Sequence, residues 1–314
     1  MNRSQRKKIK ETGGLVGPDG KPIMPGRKGH ILIGMPTYHF DIPRATREST
    51  NAAMRYLRER GYRVTLYQPD SVLVDKARND CVEGARELGA DWLMFIDSDM
   101  VFDPNHIEML IEHNKDVVGG LCVKRVEPFF STIYFHREED DKYVPLDSAN
   151  PNAVVLNSLI PCDGTGSAFL LLKMSVFDRL EKPYYALPPA HWYEVVRAAR
   201  EFVDGDGEVP IDRLKAAVGK SYEDNGFIGE DLFFCNQLRF AGVEVFVDTG
   251  VLVGHVGEYP FTFIDRLGYA EIHKNGEERG ATAAKTGVRS DSGAGISALL
   301  RATRKAEAVS SKPG

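Results

Sequence analysis

The sequence predicts an α/β fold with a mostly parallel central sheet, flanked by helices and extended by a small antiparallel hairpin region. In the part of the chain before Lys124, short apolar segments alternate with amphipathic ones. Strands that alternate with helices of this length are typical of parallel βαβ units. After Lys124 the pattern changes, and the acidic run from Glu138 to Asp141 marks the turn of a hairpin.

The part before Lys124 contains four predicted strands and three predicted helices. The strands are the apolar segments HILIGMP, RVTLYQ, DWLMFI and DVVGGLC. The helices are RATRESTNAAMRYLRERG, which ends at Gly61, DKARNDCVEGARELG, which ends at Gly89, and DPNHIEMLIEHN. For the third helix we expect Asp103 as the N-cap and Pro104 at the first position.

The later part of the chain predicts fewer regular elements. The hairpin FSTIYFHREEDDKYVPL is followed by a strand at GSAFLLLK and a helix at SVFDRL. Residues 184–226 form a longer insertion. A helix at EDLFFCNQLRFAG and two short strands, VEVFVD and VLVGH, complete the predicted domain.

We expect a single folded domain over residues 30–270, between two poorly ordered tails. Residues 1–29 are basic and rich in Gly and Pro, and residues 271–314 carry Gly, Ala, Ser and charge with little to bury. The apolar fraction of 42% is sufficient for a substantial core.

Composition excludes several classes of protein. A formal charge of −5 argues against a general nucleic-acid binder. The four cysteines, Cys81, Cys122, Cys162 and Cys235, form no CxxC motif and suit reduced thiols. No apolar run approaches the roughly 20 residues that span a bilayer, and the basic N-terminus has no hydrophobic segment behind it. These features predict a soluble cytoplasmic protein without a membrane span.

Candidate ligand-binding residues follow the predicted strands. In open α/β sheets, ligands bind beyond the carboxyl ends of the strands. Neither a P-loop nor a GxGxxG motif follows the first strand, so no NTPase or dinucleotide site is supported. The polar residues that leave these ends are Thr37, Tyr38, Asp70, Arg78, Asn79, Asp97 and Asp99.

The strand DWLMFI gives way directly to two aspartates, Asp97 and Asp99. On an extended segment the two side chains point the same way, because orientation alternates with period two. Two such carboxylates can share a hard divalent cation, which keeps positions open for substrate phosphates. A D-x-D pattern is common, however, and Ser98 and Asp99 could instead cap a turn.

A second group of polar residues lies near the end of the predicted domain. Glu230 and Asp231 open a helix after Gly229, where the helix dipole favours negative charge. They could be ordinary first-turn acids, but Asp231 is also suited to act as a general base. His255 ends the last predicted strand, and a histidine there could be structural or could complete a metal site.

The ordered set P-T-Y, A-R-N, F-I-D-S-D-M, G-T-G-S-A-F-L-L, G-E-D and G-H resembles a GT-A glycosyltransferase, close to the family 2 type. The similarity covers about residues 30–260. It implies a nucleotide-diphosphate sugar donor, with UDP-sugar favoured over GDP or dTDP, and a hydroxyl acceptor. It also implies Mn²⁺ or Mg²⁺ as cofactor, bound at the D-x-D.

The resemblance implies a role for each matching residue on the donor side. Pro36, Thr37 and Tyr38 match the loop that holds the nucleotide base and ribose. Arg78, in A-R-N with Asn79, would lie near the base or the diphosphate. Asp70 or Asp75 is a further possible base contact, although the usual pair of acids after the second strand is not clear here.

The remaining matches concern the metal, the sugar and the base catalyst. Asp97 would meet the ribose or the metal, Asp99 would ligate the metal, and His255 resembles an additional metal ligand. The segment Gly164, Thr165 and Gly166 resembles the part that lines the donor sugar and acceptor. Asp231, next to Glu230, matches the base of inverting members, although some relatives with these motifs are retaining.

Other functions remain open from the sequence. A sugar nucleotidyltransferase would share the sheet and the carboxylates, but it would want a Gly-rich basic loop after the first strand. A non-catalytic GT-A-like nucleotide-binding module is a second alternative. The acceptor could be a small molecule, a phage or surface protein, or a modified DNA base. Residues 184–226 are the expected acceptor side, and their aromatic residues either stack on the acceptor or pack a helix: Tyr184, Tyr185, His191, Trp192 and Tyr193.

Overall fold

The structure is a computed structural model that describes residues 28–37, 42–69, 71–125, 127–139, 142–188 and 228–256, with a few single positions and one short strand beyond them. The strands are β1 (His30–Gly34), β2 (Arg63–Tyr67), β3 (Trp92–Ile96), β4 (Met100–Val101), β5 (Val117–Leu121), β6 (Ile133–Arg137), β7 (Lys142–Pro145), β8 (Leu159–Cys162), β9 (Gly164–Thr165), β10 (Phe169–Lys173), β11 (Val245–Leu252), β12 (Gly254–Val256) and β13 (Pro260–Phe261). The helices are α1 (Arg44–Glu59), α2 (Val74–Glu87), α3 (His106–Glu112) and α4 (Glu230–Phe240).

Seven strands form the central sheet in the order β2-β1-β3-β10-β5-β11-β8. Strands β2, β1 and β3 pair in parallel, and so do β5 and β11, whereas β10 and β8 run antiparallel to their neighbours. Five of the seven strands therefore share one direction, which confirms the predicted α/β class. Two three-stranded sheets, β13-β12-β4 and β7-β6-β9, lie outside it, and the second contains the predicted hairpin.

Helices cover both faces of the central sheet, so its inner strands are buried on both sides. In β1, Ile31 and Ile33 pack in one apolar cluster with α1 and α3, while Leu32 packs in another with α2 and α4. The side chains of β3 divide in the same alternating way. The near-continuous apolar strands of the sequence are thus the middle layer of three.

The predicted ends of the first two helices are confirmed. Gly61 and Gly89 have φ angles of +92° and +59°, in the left-handed region that glycine adopts without strain. The backbone N–H of Tyr62 donates to the carbonyl of Leu57, and the N–H of Gly61 donates to that of Arg58. These bonds satisfy the last carbonyls of α1, as at many helix C-termini.

Three local predictions were wrong. The third helix begins at His106 rather than at Pro104, and its N-cap is Asn105 rather than Asp103. The residues before it form a turn in which the carbonyl of Asp103 accepts from the N–H of His106. The SVFDRL segment is a 3-10 helix, Met174–Asp178, and not an α-helix. The last two predicted strands, VEVFVD and VLVGH, have different boundaries in the structure. Strand β11 continues to Leu252 with a register shift after Asp248, and β12 begins at Gly254.

Candidate functional site

Several loops meet at the carboxyl edge of the parallel strands. Pro36 and Thr37 follow β1 and are buried. The hydroxyl of Thr37 donates to the carbonyl of Pro69, which follows β2, over 3.4 Å. Asp97 follows β3, and Arg125 lies four residues beyond the end of β5. The edge at which ligands were expected therefore carries buried polar contacts and charged side chains.

Arg78 is the buried centre of a group of partly exposed carboxylates. It projects from α2, and only 2% of its side chain is exposed. Its Nη1 lies 3.1 Å from Asp97 Oδ1, its Nε lies 3.4 Å from Glu230 Oε1, and its Nη2 lies 3.6 Å from Asp231 Oδ1. Nη1 also donates to the carbonyl of Ser167 over 3.5 Å. One guanidinium thus joins the D-x-D segment to two acids that lie more than 130 residues further along the chain.

The start of α4 places the two acids at this point. Gly229 is the N-cap of the helix, and Glu230 and Asp231 occupy its first turn. Negative charge is favoured there because the first N–H groups of a helix have no partner within the helix. Beneath them, Phe234 packs on the ring of Tyr185 with centroids 4.4 Å apart, and Tyr185 in turn packs edge-on against Phe95. The first turn of α4 therefore packs on a cluster of aromatic rings.

Three carboxylates around one guanidinium leave an excess of negative charge. Burial alone would lower the pKa of Arg78, but the charges of Asp97, Asp231 and Glu230 outweigh it and raise that pKa. Burial raises the pKa of Glu230, and the neighbouring Asp231 adds to the effect. Burial also raises the pKa of Asp231, with Arg78 opposing and Asp97 reinforcing the rise. The cluster holds two carboxyl groups that bind protons more tightly than solvated ones.

The predicted Gly164–Gly166 segment lies directly beside Asp231. A Cβ at Gly166 would stand 3.7 Å from Asp231 Oδ2, and a Cβ at Gly164 would stand 2.9 Å from the ring of Tyr143. The backbone N–H of Thr165 donates to Cys235 Sγ on α4 over 3.4 Å. Small residues therefore let this segment approach the first turn of α4 closely.

Asp99 and His255 are brought together by the small sheet of β4, β12 and β13. The register pairs His255 with Met100, and the N–H of Val256 donates to the carbonyl of Asp99 over 2.6 Å. The carboxylate of Asp99 pairs with Arg125, whose Nη1 lies 2.5 Å from Oδ2. Burial lowers the pKa of His255, with Asp99 opposing the shift, so the imidazole favours its neutral form.

The backbone segments that carry the predicted metal ligands Asp99 and His255 therefore lie side by side. The carboxylates of Asp97 and Asp99, however, pair with Arg78 and Arg125. In the described part of the chain, no three His, Cys, Asp or Glu side chains are arranged to hold a metal ion. Nδ1 of His255 is buried and has no hydrogen-bond partner within the described ranges. Two carboxylates suit Mn²⁺ or Mg²⁺, and the neutral imidazole adds a nitrogen donor of the kind that transition metals accept. The residues fit the ion if Asp97 and Asp99 change partners.

Asn79 has a structural task that the sequence did not reveal. Its Nδ2 donates to the carbonyls of Asp75 and Tyr185, each over 2.8 Å. Its Oδ1 accepts from the N–H groups of Tyr184 and Tyr185 over 3.0 and 3.2 Å. These four bonds use the two donors and two lone pairs of the amide. Asn79 therefore anchors the segment that leads into the insertion.

Tyr184 and Tyr185 are packed inside the protein. Only 3% and 1% of their surfaces are exposed. Tyr184 packs edge-on against Phe177 with centroids 5.1 Å apart. Of the two interpretations left open for these rings, packing is confirmed and stacking on an acceptor is wrong. Their apolar surface is already used by the core beneath α4.

Some predicted residues lie outside the described part of the chain. Tyr38 and Asp70 belong to this group, as do the remaining aromatics of the insertion, His191, Trp192 and Tyr193. Both predicted tails lie there too, apart from two residues at the end of the first. Their assignments stay predictions.

Arg125 and Ser167 also contact the predicted site residues, although neither was predicted from the sequence. A lysine and an arginine, Lys124 and Arg125, directly follow the buried segment LCV at the edge of the sheet where ligands are expected. Paired cations at that position are a signal that could have been noticed, because charge after a buried strand points to a partner or a ligand. Nothing in the sequence indicates the contact between Ser167 and Arg78, which depends on tertiary structure.

No family model and no curated protein matches this chain. Among solved structures, A197 from STIV matches with a TM-score of 0.43 and 13% identity, over 73% of this chain and 86% of that chain. A glycosyltransferase involved in the glycosylation of the major capsid of PBCV-1 matches with a TM-score of 0.27 and 13% identity, over 49% and 68% of the two chains. S. aureus TarS 1-349 matches with a TM-score of 0.27 and 13% identity, over 48% of each chain.

The described residues contain no helix with the length and apolar character needed to cross a membrane.

Proposed function

We propose that this protein is a metal-dependent glycosyltransferase, which moves a sugar from a nucleotide-diphosphate sugar to a hydroxyl acceptor. One observation carries the proposal: the buried guanidinium of Arg78 ties the D-x-D aspartate Asp97 to Glu230 and Asp231. Asp97 and Asp99, which could bind a cation, then lie at the same edge of the sheet as Asp231, a partly exposed carboxylate that could accept a proton. Metal-dependent glycosyl transfer with inversion uses both of these groups.

Asp231 is the proposed general base. It accepts the proton of the acceptor hydroxyl while the acceptor oxygen forms a bond to the anomeric carbon. The bond between that carbon and the diphosphate breaks on the opposite face, so the reaction inverts the configuration. About 29% of the Asp231 side chain is exposed, which gives an acceptor access to it. Its raised pKa makes it a stronger base than a solvated aspartate.

Glu230 and Arg78 position the base. Arg78 lies between the two acids and Asp97, and the aromatic rings of Phe95 and Tyr185 lie 5.4 and 5.8 Å from its guanidinium. Such a group has little room to move, because packing and charge hold it from every side. We assign Arg78 to alignment of the site rather than to direct contact with the nucleotide base.

Asp97, Asp99 and His255 would hold Mn²⁺ or Mg²⁺. The ion would supply Lewis-acid stabilisation of the negative charge that develops on the diphosphate leaving group. The buried and unpartnered Nδ1 of His255, within the described residues, supports its place in this set. The ring nitrogen that binds a metal must be free of a hydrogen bond, and Nδ1 of His255 meets this condition among the described residues.

The nucleotide would bind over the loops that follow β1 and β2. Pro36, Thr37, Tyr38 and Asp70 are the proposed contacts to base and ribose, and UDP-sugar is the favoured donor. The segment Gly164–Gly166 would line the donor sugar, because it lies against Asp231. The acceptor is a small molecule, a protein or a modified nucleic acid.

The test is the release of nucleoside diphosphate from a panel of UDP-, GDP- and dTDP-sugars with Mn²⁺. We expect one donor to be turned over by the wild type, and turnover to fall with Asp231→Asn and with Asp99→Asn. Asp116→Asn is the matched control, since Asp116 pairs with Lys173 at the opposite end of β5. Equal rates in all four proteins would refute the proposed site.

A further inference from the structure

Arg125 pairs with Asp99, the second carboxylate of the D-x-D. Its Nη1 contacts Asp99 Oδ2, and its side chain is 60% exposed while that of Asp99 is 20% exposed. Among the described residues, Asp99 is the carboxylate with which Arg125 pairs. A cation therefore already stands where the proposed function requires a divalent ion.

The position of Arg125 also suits a ligand that carries phosphate. It follows β5 at the carboxyl edge of the sheet and contacts Asp99, whose carbonyl accepts from the N–H of Val256 in β12. A guanidinium forms paired hydrogen bonds with phosphate oxygens as readily as with carboxylate oxygens. A long and exposed side chain can exchange one partner for the other at little cost.

We propose that Arg125 is the internal counter-ion of Asp99 in the free protein, and that it transfers to the donor diphosphate when the divalent ion binds. This inference rests on the proposed function. Before binding, Arg125 neutralises Asp99 and excludes the ion. After binding, the diphosphate takes over Arg125, which releases Asp99 as a metal ligand.

This exchange makes the binding of metal and nucleotide cooperative. A divalent ion that binds alone must displace Arg125 and leave two positive charges close together, which is unfavourable. A nucleotide removes that penalty because it supplies a new partner for the guanidinium. The coupling is reciprocal, so each ligand raises the affinity of the protein for the other.

The test is the binding of Mn²⁺ to the full chain, followed by the loss of the free-ion signal in electron paramagnetic resonance. Mn²⁺ is titrated alone and then with UDP, GDP or dTDP, with correction for ion bound by the nucleotide itself. We expect Arg125→Gln to bind Mn²⁺ alone about fivefold more tightly than the wild type, which corresponds to the upper range for an exposed ion pair. Arg125→Lys keeps the charge and should stay within about twofold of the wild type.

Two controls make the result specific. Lys124→Gln removes the neighbouring cation, whose Nζ lies over the ring of Tyr134 at 5.4 Å rather than on Asp99. It should leave the affinity for Mn²⁺ unchanged. Asp99→Asn should abolish the binding of Mn²⁺ in every background.

The outcomes separate the inference from the proposed function. If the wild type and Arg125→Gln bind Mn²⁺ equally well, the counter-ion role is overturned and the metal site stands. If no protein binds Mn²⁺ with or without any of the nucleotides, the proposed metal-dependent function itself is overturned. If nucleotide strengthens Mn²⁺ binding far more in the wild type than in Arg125→Gln, the exchange of partners is supported.

Discussion

The two aspartates of the D-x-D segment pair with arginines in opposite settings. Asp97 meets Arg78, of which 2% is exposed, and Arg78 also contacts Glu230 and Asp231. Asp99 meets Arg125, of which 60% is exposed and which has no second carboxylate among the described residues. Asp97 and Asp99 are two residues apart in the sequence, but their arginine partners differ in burial and in the number of carboxylates that they contact.

The difference teaches which contacts build the site and which can exchange. A buried charge with several partners cannot be released without leaving uncompensated charges behind. An exposed pair contributes little to stability and is screened by salt. The pair at Asp97 therefore belongs to the framework, and the pair at Asp99 can be broken at little cost to the fold. Four substitutions test this division.

Replacement of Arg78 should have the largest effect. Arg78→Met leaves three carboxylates without their cation, so we expect a loss of about 3–5 kcal/mol in the free energy of unfolding. Urea denaturation measures it. Arg86→Met is the control on the same helix, because Arg86 pairs with Asp178 in a far more exposed setting. A loss below about 1 kcal/mol for Arg78→Met would mean that the buried pair is not part of the framework.

Asp231→Asn should separate activity from stability. We expect turnover to fall by about 10²–10⁴-fold, as on removal of a general base. Stability should not fall, because the substitution removes excess negative charge from the cluster.

The pH dependence of Asp231→Asn sharpens this prediction. Burial raises the pKa of Asp231 above its ordinary value of 3.8. Protonation of Asp231 at low pH therefore stabilises the folded state of the wild type relative to its unfolded state. That contribution is lost as pH rises through the folded-state pKa, whereas asparagine does not titrate. The stability advantage of Asp231→Asn should therefore grow between pH 4 and pH 8, in thermal melts across that range. An advantage that shrinks with pH would contradict the assignment.

Asn79→Ala tests the anchor of the insertion. The substitution leaves backbone groups of Tyr184 and Tyr185 without partners, and we expect a loss of about 1–3 kcal/mol. Asn105→Ala is the control, because the amide of Asn105 is exposed and makes one weak contact to Met109. Equal losses for the two variants in urea denaturation would refute the anchoring role.

Arg125→Gln should have the smallest effect on stability. Because its pair with Asp99 is exposed, we expect a change below about 1 kcal/mol in the free energy of unfolding, and less at high salt. A loss as large as that of Arg78→Met would place Arg125 in the framework and remove the contrast between the two pairs.

Much of the fold could be predicted because the signals are local. The apolar strands, the helix periods and the terminal glycines Gly61 and Gly89 all depend on a few neighbouring residues. The short strands β4, β8 and β9 were missed, since two to four residues carry no periodicity. Their pairing with distant strands gives them their structure.

The site was predictable in part for the same reason. The acids of the D-x-D follow a recognisable strand, and Glu230 and Asp231 open a recognisable helix. Both groups could therefore be proposed as site residues from the sequence. The sequence could not show that Arg78 joins them, because its partners lie 19 to 153 residues away. Asn79 and Tyr185 are likewise explained by contacts across the fold rather than by their neighbours.

The most direct test of the central claim is thermal unfolding with UDP, GDP, dTDP and CMP, each with and without Mn²⁺. A ligand at about 100 times its dissociation constant adds roughly 2.7 kcal/mol of stability. We predict that one nucleoside diphosphate stabilises the wild type only when Mn²⁺ is present, and that Asp99→Asn loses the effect. If no nucleotide shifts the midpoint with any metal condition, the edge of the sheet does not bind a metal–nucleotide pair and the account is contradicted.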